Sequence, residues 1–420
     1  MHSPSFRFRA VAALLAIACT SAIGLAAEPS LTLAEAQRAA VERSRALDAK
    51  RFAVGAAREM AVAAGQLPDP IVSVGVENLP VDRGDKFSLT RDFMTMRRVG
   101  VMQEFTRGEK RRLKAERFEL AAEKGVAEQA ATVAAIQRDT ALAWIDAYFA
   151  EAAAALVAEE RVRGLQELQG SEAAYRAGRV SQADVFTTQG AVAMLDDRAA
   201  EVERRARTAR TLLARWVGDD NRALGAKPAF DAIRGGTHLL HEQLASHPDI
   251  VALSKQEEIA SSEARLARAA KHPDWTVQLA YSLRGPAYSN MVSLGVSIPL
   301  PWDTAHRQDR EEAAKLLAAE EAGAQRDEML REHYAAILAM TEEWESNRSR
   351  LARFEREIVP LAVERSEALV ASYRGGKGNV NDVLAGRRNE LEVRMQMLQL
   401  EAQTARLWAQ LSFLFPEDVK

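Results

Sequence analysis

Between residues 183 and 217 the apolar side chains return at alternating steps of three and four: Val185, Thr188, Val192, Leu195, Ala199, Val202, Ala206, Ala209, Leu213 and Trp216. A seam sustained over so many turns predicts a long helix packed as in a coiled coil. Residues 380–414 carry the aligned set Val383, Gly386, Glu390, Val393, Met397, Leu400, Thr404, Leu407, Leu411 and Leu414. Glu390 is out of place in a dry seam, and Thr404 only tolerates one. A second stripe through Leu391, Met395, Leu398, Ala402 and Ala405 predicts neighbours on two sides of this helix. Ahead of each seam lies a longer helical pattern. The first runs from about 106 to about 169, on the order of 90 Å at 1.5 Å per residue. The second runs from about 305 to 373, and Pro360 should kink it or divide it. Another helical pattern spans 31–66, with Thr32 as N-cap and Glu35 at the capping-box position; 241–272 repeats it.

Elsewhere the period falls to two. Val72, Val74 and Val76 alternate with Ser73, Gly75 and Glu77, and Val99, Val101, Gln103 and Phe105 share one side of a second run. Trp275, Val277, Leu279, Tyr281 and Leu283 alternate likewise, followed by Val292, Leu294, Val296 and Ile298. These are four half-polar strands in two hairpins, about 71–105 and 275–298. Helix, hairpin, long helix, long helix therefore occurs twice.

The junctions between the long helices repeat most clearly. YRAGRVSQADVF at Tyr175 aligns without gaps on YRGGKGNVNDVL at Tyr373, matching Arg176 with Arg374, Gly178 with Gly376 and Asp184 with Asp382. Each is a helical hairpin tip, with glycine ending one helix and an aspartate near the N-terminus of the next. The organisation is 1–27 signal peptide, 28–220 first repeat with its tip near 175–184, 221–240 connector, 241–416 second repeat with its tip near 373–382, and 417–420 tail.

The first 27 residues change where the molecule must work. Arg7 and Arg9, the apolar run from Val11 and the small residues closing it form a secretory signal peptide, and its removal leaves a net charge of about −5. The one cysteine, Cys19, lies inside it, either as a lipid acceptor after Ala16-Ile17-Ala18 or as a small residue of the apolar run. No later stretch is expected to approach the ~18 apolar residues of a membrane helix. No basic face points to nucleic acid, and the seven histidines show no HxxxH or HxH spacing. His247 and His272 each precede proline at a helix end and read as structural. Met94, Met96 and Met102 read as a soft-metal ladder or as apolar loop and strand residues. No catalytic residues, cofactor or metal ligands are assigned.

Four short strands cannot close a sheet alone, and nothing in the chain covers their apolar faces. In an exported protein the economical solution is a membrane β-barrel shared among copies, with Ser73, Gly75, Glu77, Gln278 and Ser293 facing water and the long helices outside the membrane. The fold class is mainly α with a small β part: coiled-coil hairpins forming a tunnel, plus four strands per chain.

This arrangement, the YxxGxxxxxDV tip and the Pro-Asp exit before each first strand resemble the TolC family of outer-membrane efflux proteins over essentially the whole mature chain. RRVGVMQEFTRGEKRRLKAE further resembles its heavy-metal branch. The resemblance implies a homotrimer with a twelve-stranded barrel in outer-membrane lipid and a helical tunnel in the periplasm. Its implied partners are a periplasmic adaptor and an inner-membrane RND pump for Cu/Ag or Co/Zn/Cd; a multidrug or type I secretion duct is the alternative. It implies a gate at the second tip, with Tyr373 as locking tyrosine and Asp382 as a ring carboxylate. Asp184 would be the hydrogen-bond partner of Tyr373. Gly378, beside Lys377, stands where the family has a locking arginine, and Ala385 where it has a second aspartate. Tyr175, Arg176, Gly178, Arg374, Gly375 and Gly376 would meet the adaptor. An adaptor itself would carry one hairpin between lipoyl-type β-domains. A flagellin-type protein would lack the signal peptide, and a cell-wall hydrolase would need a catalytic cluster.

Overall fold

The computed structural model describes residues 30–219, 221–233 and 243–417. The expected signal peptide, Cys19, part of the connector and the last tail residues lie outside the described residues. The first helical pattern is two helices rather than one, α1 (Leu33–Glu42) and α2 (Arg45–Ala64). Thr32 and Glu35 form the expected reciprocal capping box. Ser44 then breaks the run, because its hydroxyl accepts the Leu47 N–H and restarts the helix as an N-cap. Strands β1 (Ile71–Glu77) and β2 (Met96–Phe105) follow, then α3 (Gly108–Arg176), α4 (Gln182–Val217) and, after the connector, α5 (Pro248–Ala270). Strands β3 (Trp275–Leu283) and β4 (Met291–Ser297) lead into α6 (Gln308–Arg353), α7 (Val359–Arg374) and α8 (Val380–Ser412).

Helix α3 runs unbroken for 69 residues, about 100 Å. It holds a stretch long and apolar enough to cross a membrane, contrary to expectation. A third of that stretch is buried within the chain, where α1, α2, α4, α5 and α8 all lie against α3. Ala141, Trp144, Ile145, Ala147 and Phe149 of α3 form one core with Leu31, Ala36, Leu213 and alanines of α8. The second-half counterpart is divided, as Pro360 predicts. Residues Phe354–Ile358 form a π turn between α6 and α7, with proline at the start of α7. Proline has no N–H for the carbonyl four residues back, and its ring crowds that carbonyl, so the backbone widens.

The described connector is irregular but anchored. The Leu31 N–H donates to Ala223 O (2.8 Å), Gly225 N–H donates to Leu31 O (3.0 Å), and Trp144 Nε1–H donates to the same Leu31 carbonyl (3.0 Å).

The strands form one antiparallel sheet in the order β1-β2-β3-β4, so β2 and β3 join the two halves. Cross-strand partners share a face, and the register sorts the central rows into an apolar face and a smaller, more polar one. One row reads Val72-Val101-Leu279-Leu294 and the next Val74-Val99-Tyr281-Val292. The opposite face reads Ser73-Gly100-Ala280-Ser293 and Gly75-Arg98-Ser282-Met291. Among the described residues no helix covers the apolar face: Val74 is 78% and Leu294 73% exposed. The small face is tight at its centre, where a Cβ on Gly100 would lie 3.0 Å from Ser73 Oγ and 3.2 Å from the Ala280 Cβ. Phe105 and Trp275 stack at 4.6 Å at one end of the apolar face. At the other end Gly285 lies so close to Thr90 O that any side chain would collide with it, which ties the β1–β2 loop over the β3–β4 turn. Where the sheet meets the helices, Lys110 Nζ pairs with Asp274 Oδ2 at 2.8 Å, and the Arg107 N–H donates to Asp274 Oδ1 at 2.9 Å.

Candidate functional site

The two tips are built alike. Gly178 and Gly376 take φ of 68° and 71°, the left-handed conformation that ends α3 and α7. Arg179 N–H donates to Ala174 O and Lys377 N–H to Ser372 O, closing the same C-terminal motif. Ser181 then caps α4 and Asn379 caps α8, accepting the N–H of Asp184 and of Asp382.

The two aspartates differ in what their carboxylates do. Asp184 closes a capping box, accepting Ser181 N–H at 2.9 Å and Ser181 Oγ–H at 2.8 Å. The Ser181 hydroxyl and backbone bonds hold it below the usual carboxylate range. The family resemblance implies a bond from Tyr373 to Asp184; among the described residues of one chain the Asp184 carboxylate is bonded to Ser181. The Asp382 carboxylate is exposed and has no hydrogen bond or ion pair among the described residues. Arg176, Arg374, Gly375, Gly376 and Lys377 are exposed around it and its twin, Tyr175 is 45% exposed, and Tyr373 is half-buried. Among the described residues no hydrogen bond or ion pair joins one tip to the other.

Back from the tips, α3, α4 and α8 enclose a cavity of about 670 Å³ whose lining includes Glu160, Gly164, Glu167, Arg387, Leu391 and Met395. Glu390 is 2% exposed here, and its place in the seam is explained by three arginines: Arg394 at 2.8 Å, Arg387 at 3.3 Å and Arg163 at 3.6 Å. Arg387 also donates to Glu167 at 3.1 Å, tying α8 to α3. Burial pushes the neighbouring Glu160 carboxyl up, against the opposing pull of Arg387 and Arg163.

A second polar group was not apparent from the sequence as a group. His247 and Asp249, at the start of α5, lie beside His333 of α6. The chain separation hides this grouping, because no local spacing links position 333 to 247. Met94 and Met96 stand near the β1–β2 loop, whereas Met102 lies in the small-residue face opposite Ile71, so the three do not gather at one place.

No family model matches the chain. It is 26% identical over 288 residues to the cobalt-zinc-cadmium resistance protein CzcC of Cupriavidus metallidurans, covering 65% of this chain and 67% of that protein. Its fold matches the outer membrane protein VceC from Vibrio cholerae with a TM-score of 0.75 at 17% identity, over 91% of this chain and 95% of that one. It matches CusC, a protein that forms a transmembrane channel, with a TM-score of 0.76 at 14% identity, over 92% of each chain. The fold is therefore that of these outer-membrane proteins, as the repeated tip and paired hairpins lead one to expect.

Proposed function

We propose that this chain is one subunit of a trimeric outer-membrane exit duct in a tripartite efflux system that exports heavy-metal cations. The observation that carries this reading is the sheet. Among the described residues one face is apolar and uncovered, the other is smaller and more polar at its centre, and β1 and β4 each leave an unpaired edge. Lipid satisfies the first face, water the second, and neighbouring copies the edges. Three chains then contribute twelve strands, and their helical hairpins continue the pore through the periplasm to a constriction at the tips.

The chain acts as a passive conduit, without catalysis, and receives its cargo from an inner-membrane RND pump through a periplasmic adaptor. The 26% identity to CzcC favours divalent metal cargo. At the constriction, three Asp382 carboxylates around the axis would attract cations, a role that their freedom from any cap supports. Tyr373 and Lys377 stand beside them where the pore narrows, and the exposed residues of both tips offer the adaptor its contacts.

Deleting the gene and measuring growth inhibition by zinc, cobalt, cadmium, copper, silver and bulky drugs tests the reading. Sensitivity confined to metals, restored by the gene, is the expected result. Sensitivity to drugs alone would keep the duct and overturn its cargo.

A further inference from the structure

His247 closes the first turn of α5 as its N-cap, yet the cap leaves two nearby groups unused. The ring is buried at 7% exposure, and its Nδ1 accepts the Asp249 N–H only at a long 3.3 Å, a weak bond that a metal-bound Nδ1 gives up. The Asp249 carboxylate plays no part in the cap, and its Oδ2 lies 3.9 Å from the same Nδ1. Across from it, His333 Nδ1 is buried and has no hydrogen-bond partner among the described residues. The two rings stand 4.8 Å apart at 50° to one another. A buried ring nitrogen with no partner costs free energy unless something else satisfies it. One ligand atom from each of the three residues lies within 4.8 Å of the others.

We propose that His247, Asp249 and His333 bind one borderline divalent cation per chain, Zn²⁺ or Co²⁺ in kind, and so clasp the start of α5 to α6. Two imidazoles and a carboxylate suit these ions, with water completing the shell. The three ligands are nitrogen and oxygen donors, which suit Cu(I) and Ag(I) poorly, and the two imidazoles disfavour Mg²⁺ and Ca²⁺. Ligand atoms around one such ion sit closer than 4.8 Å, so binding draws Asp249, half exposed at the rim, inward. A cavity of about 370 Å³ lined by His247, Asp249 and Arg138 gives the ion a way in, and Arg138 is held by Asp139 at 2.9 Å.

This site belongs to one subunit and lies away from the tip constriction, so it is a resident site and does not depend on what the duct carries. The test is Co²⁺ titration of the full-length, detergent-solubilised protein, followed by visible absorption, with Zn²⁺ counted by equilibrium dialysis. One ion per chain is expected. His333→Gln and Asp249→Asn should each weaken binding by at least about tenfold with unchanged circular dichroism and elution, since even outer-shell partners are worth that much. These two variants carry the test because replacing His247 also removes the helix cap. No binding by the parent, or full binding by both variants, would overturn the site. Binding together with a deletion strain that shows no metal sensitivity would overturn only the proposed cargo.

Discussion

Asp184 and Asp382 occupy matching positions, yet one carboxylate is spent on Ser181 and the other has no partner among the described residues. Asp382→Asn should therefore lower the cation preference of the reconstituted channel, read as reversal potential under a salt gradient. Asp184→Asn should leave that potential unchanged and instead speed hydrogen exchange in the first turn of α4. Because Asp184 is held below its usual range, its help to the tip is present at neutral pH and is lost as pH falls through the carboxylate range. Glu160 has the opposite sign. Burial raises its folded-state pKa, so protonation favours the fold, and that favour disappears as pH rises through the raised value. Glu160→Gln should raise the melting temperature at pH 7, with the gain shrinking toward pH 4; a gain of equal size at both would rule out ionisation as its source. The sequence marks Glu390 as a misfit in its seam, but nothing local names Arg163 as part of the answer. That partner comes from another helix, as does His333 for His247. Residues whose role is set by their own neighbours, such as Thr32 and the tip glycines, are legible; residues paired across the fold are not.

Among the elements, strands and long helices are readable because each exposes a clean period. Where a boundary depends on one side chain competing with the backbone, the pattern runs straight through it, as at Ser44 between α1 and α2. Strand β2 also begins earlier than the alternation at Val99 suggests, since Met96, Arg97 and Arg98 pair with β1 while the two arginines interrupt the apolar alternation. The sorted faces predict an asymmetry within β4. Leu294→Arg, on the apolar face, should cost about 2–4 kcal/mol near the bilayer midplane, whereas Ser293→Arg next to it should cost much less. Refolding into lipid vesicles from urea measures both. Asp274→Ala should destabilise the junction of sheet and helices by about 3 kcal/mol, because it leaves Lys110, with 9% of its side chain exposed, without its carboxylate. Loss of thermal stability that Lys110→Met partly restores would identify the stranded charge as the cause.

At the scale of the molecule, duplication gives each chain two strand pairs and two helical hairpins, and the antiparallel order β1-β2-β3-β4 has an outcome of its own. An even strand count puts opposite directions at the two edges, so β4 of any copy meets β1 of the next antiparallel. The seam is then the same whether two, three or four copies close the ring. Parity makes the sheet indifferent to copy number. The choice must come from the angle at which each chain's helices wedge against those of its neighbours. Changes of stoichiometry are thus expected from substitutions on the outer helix faces and not from the strands.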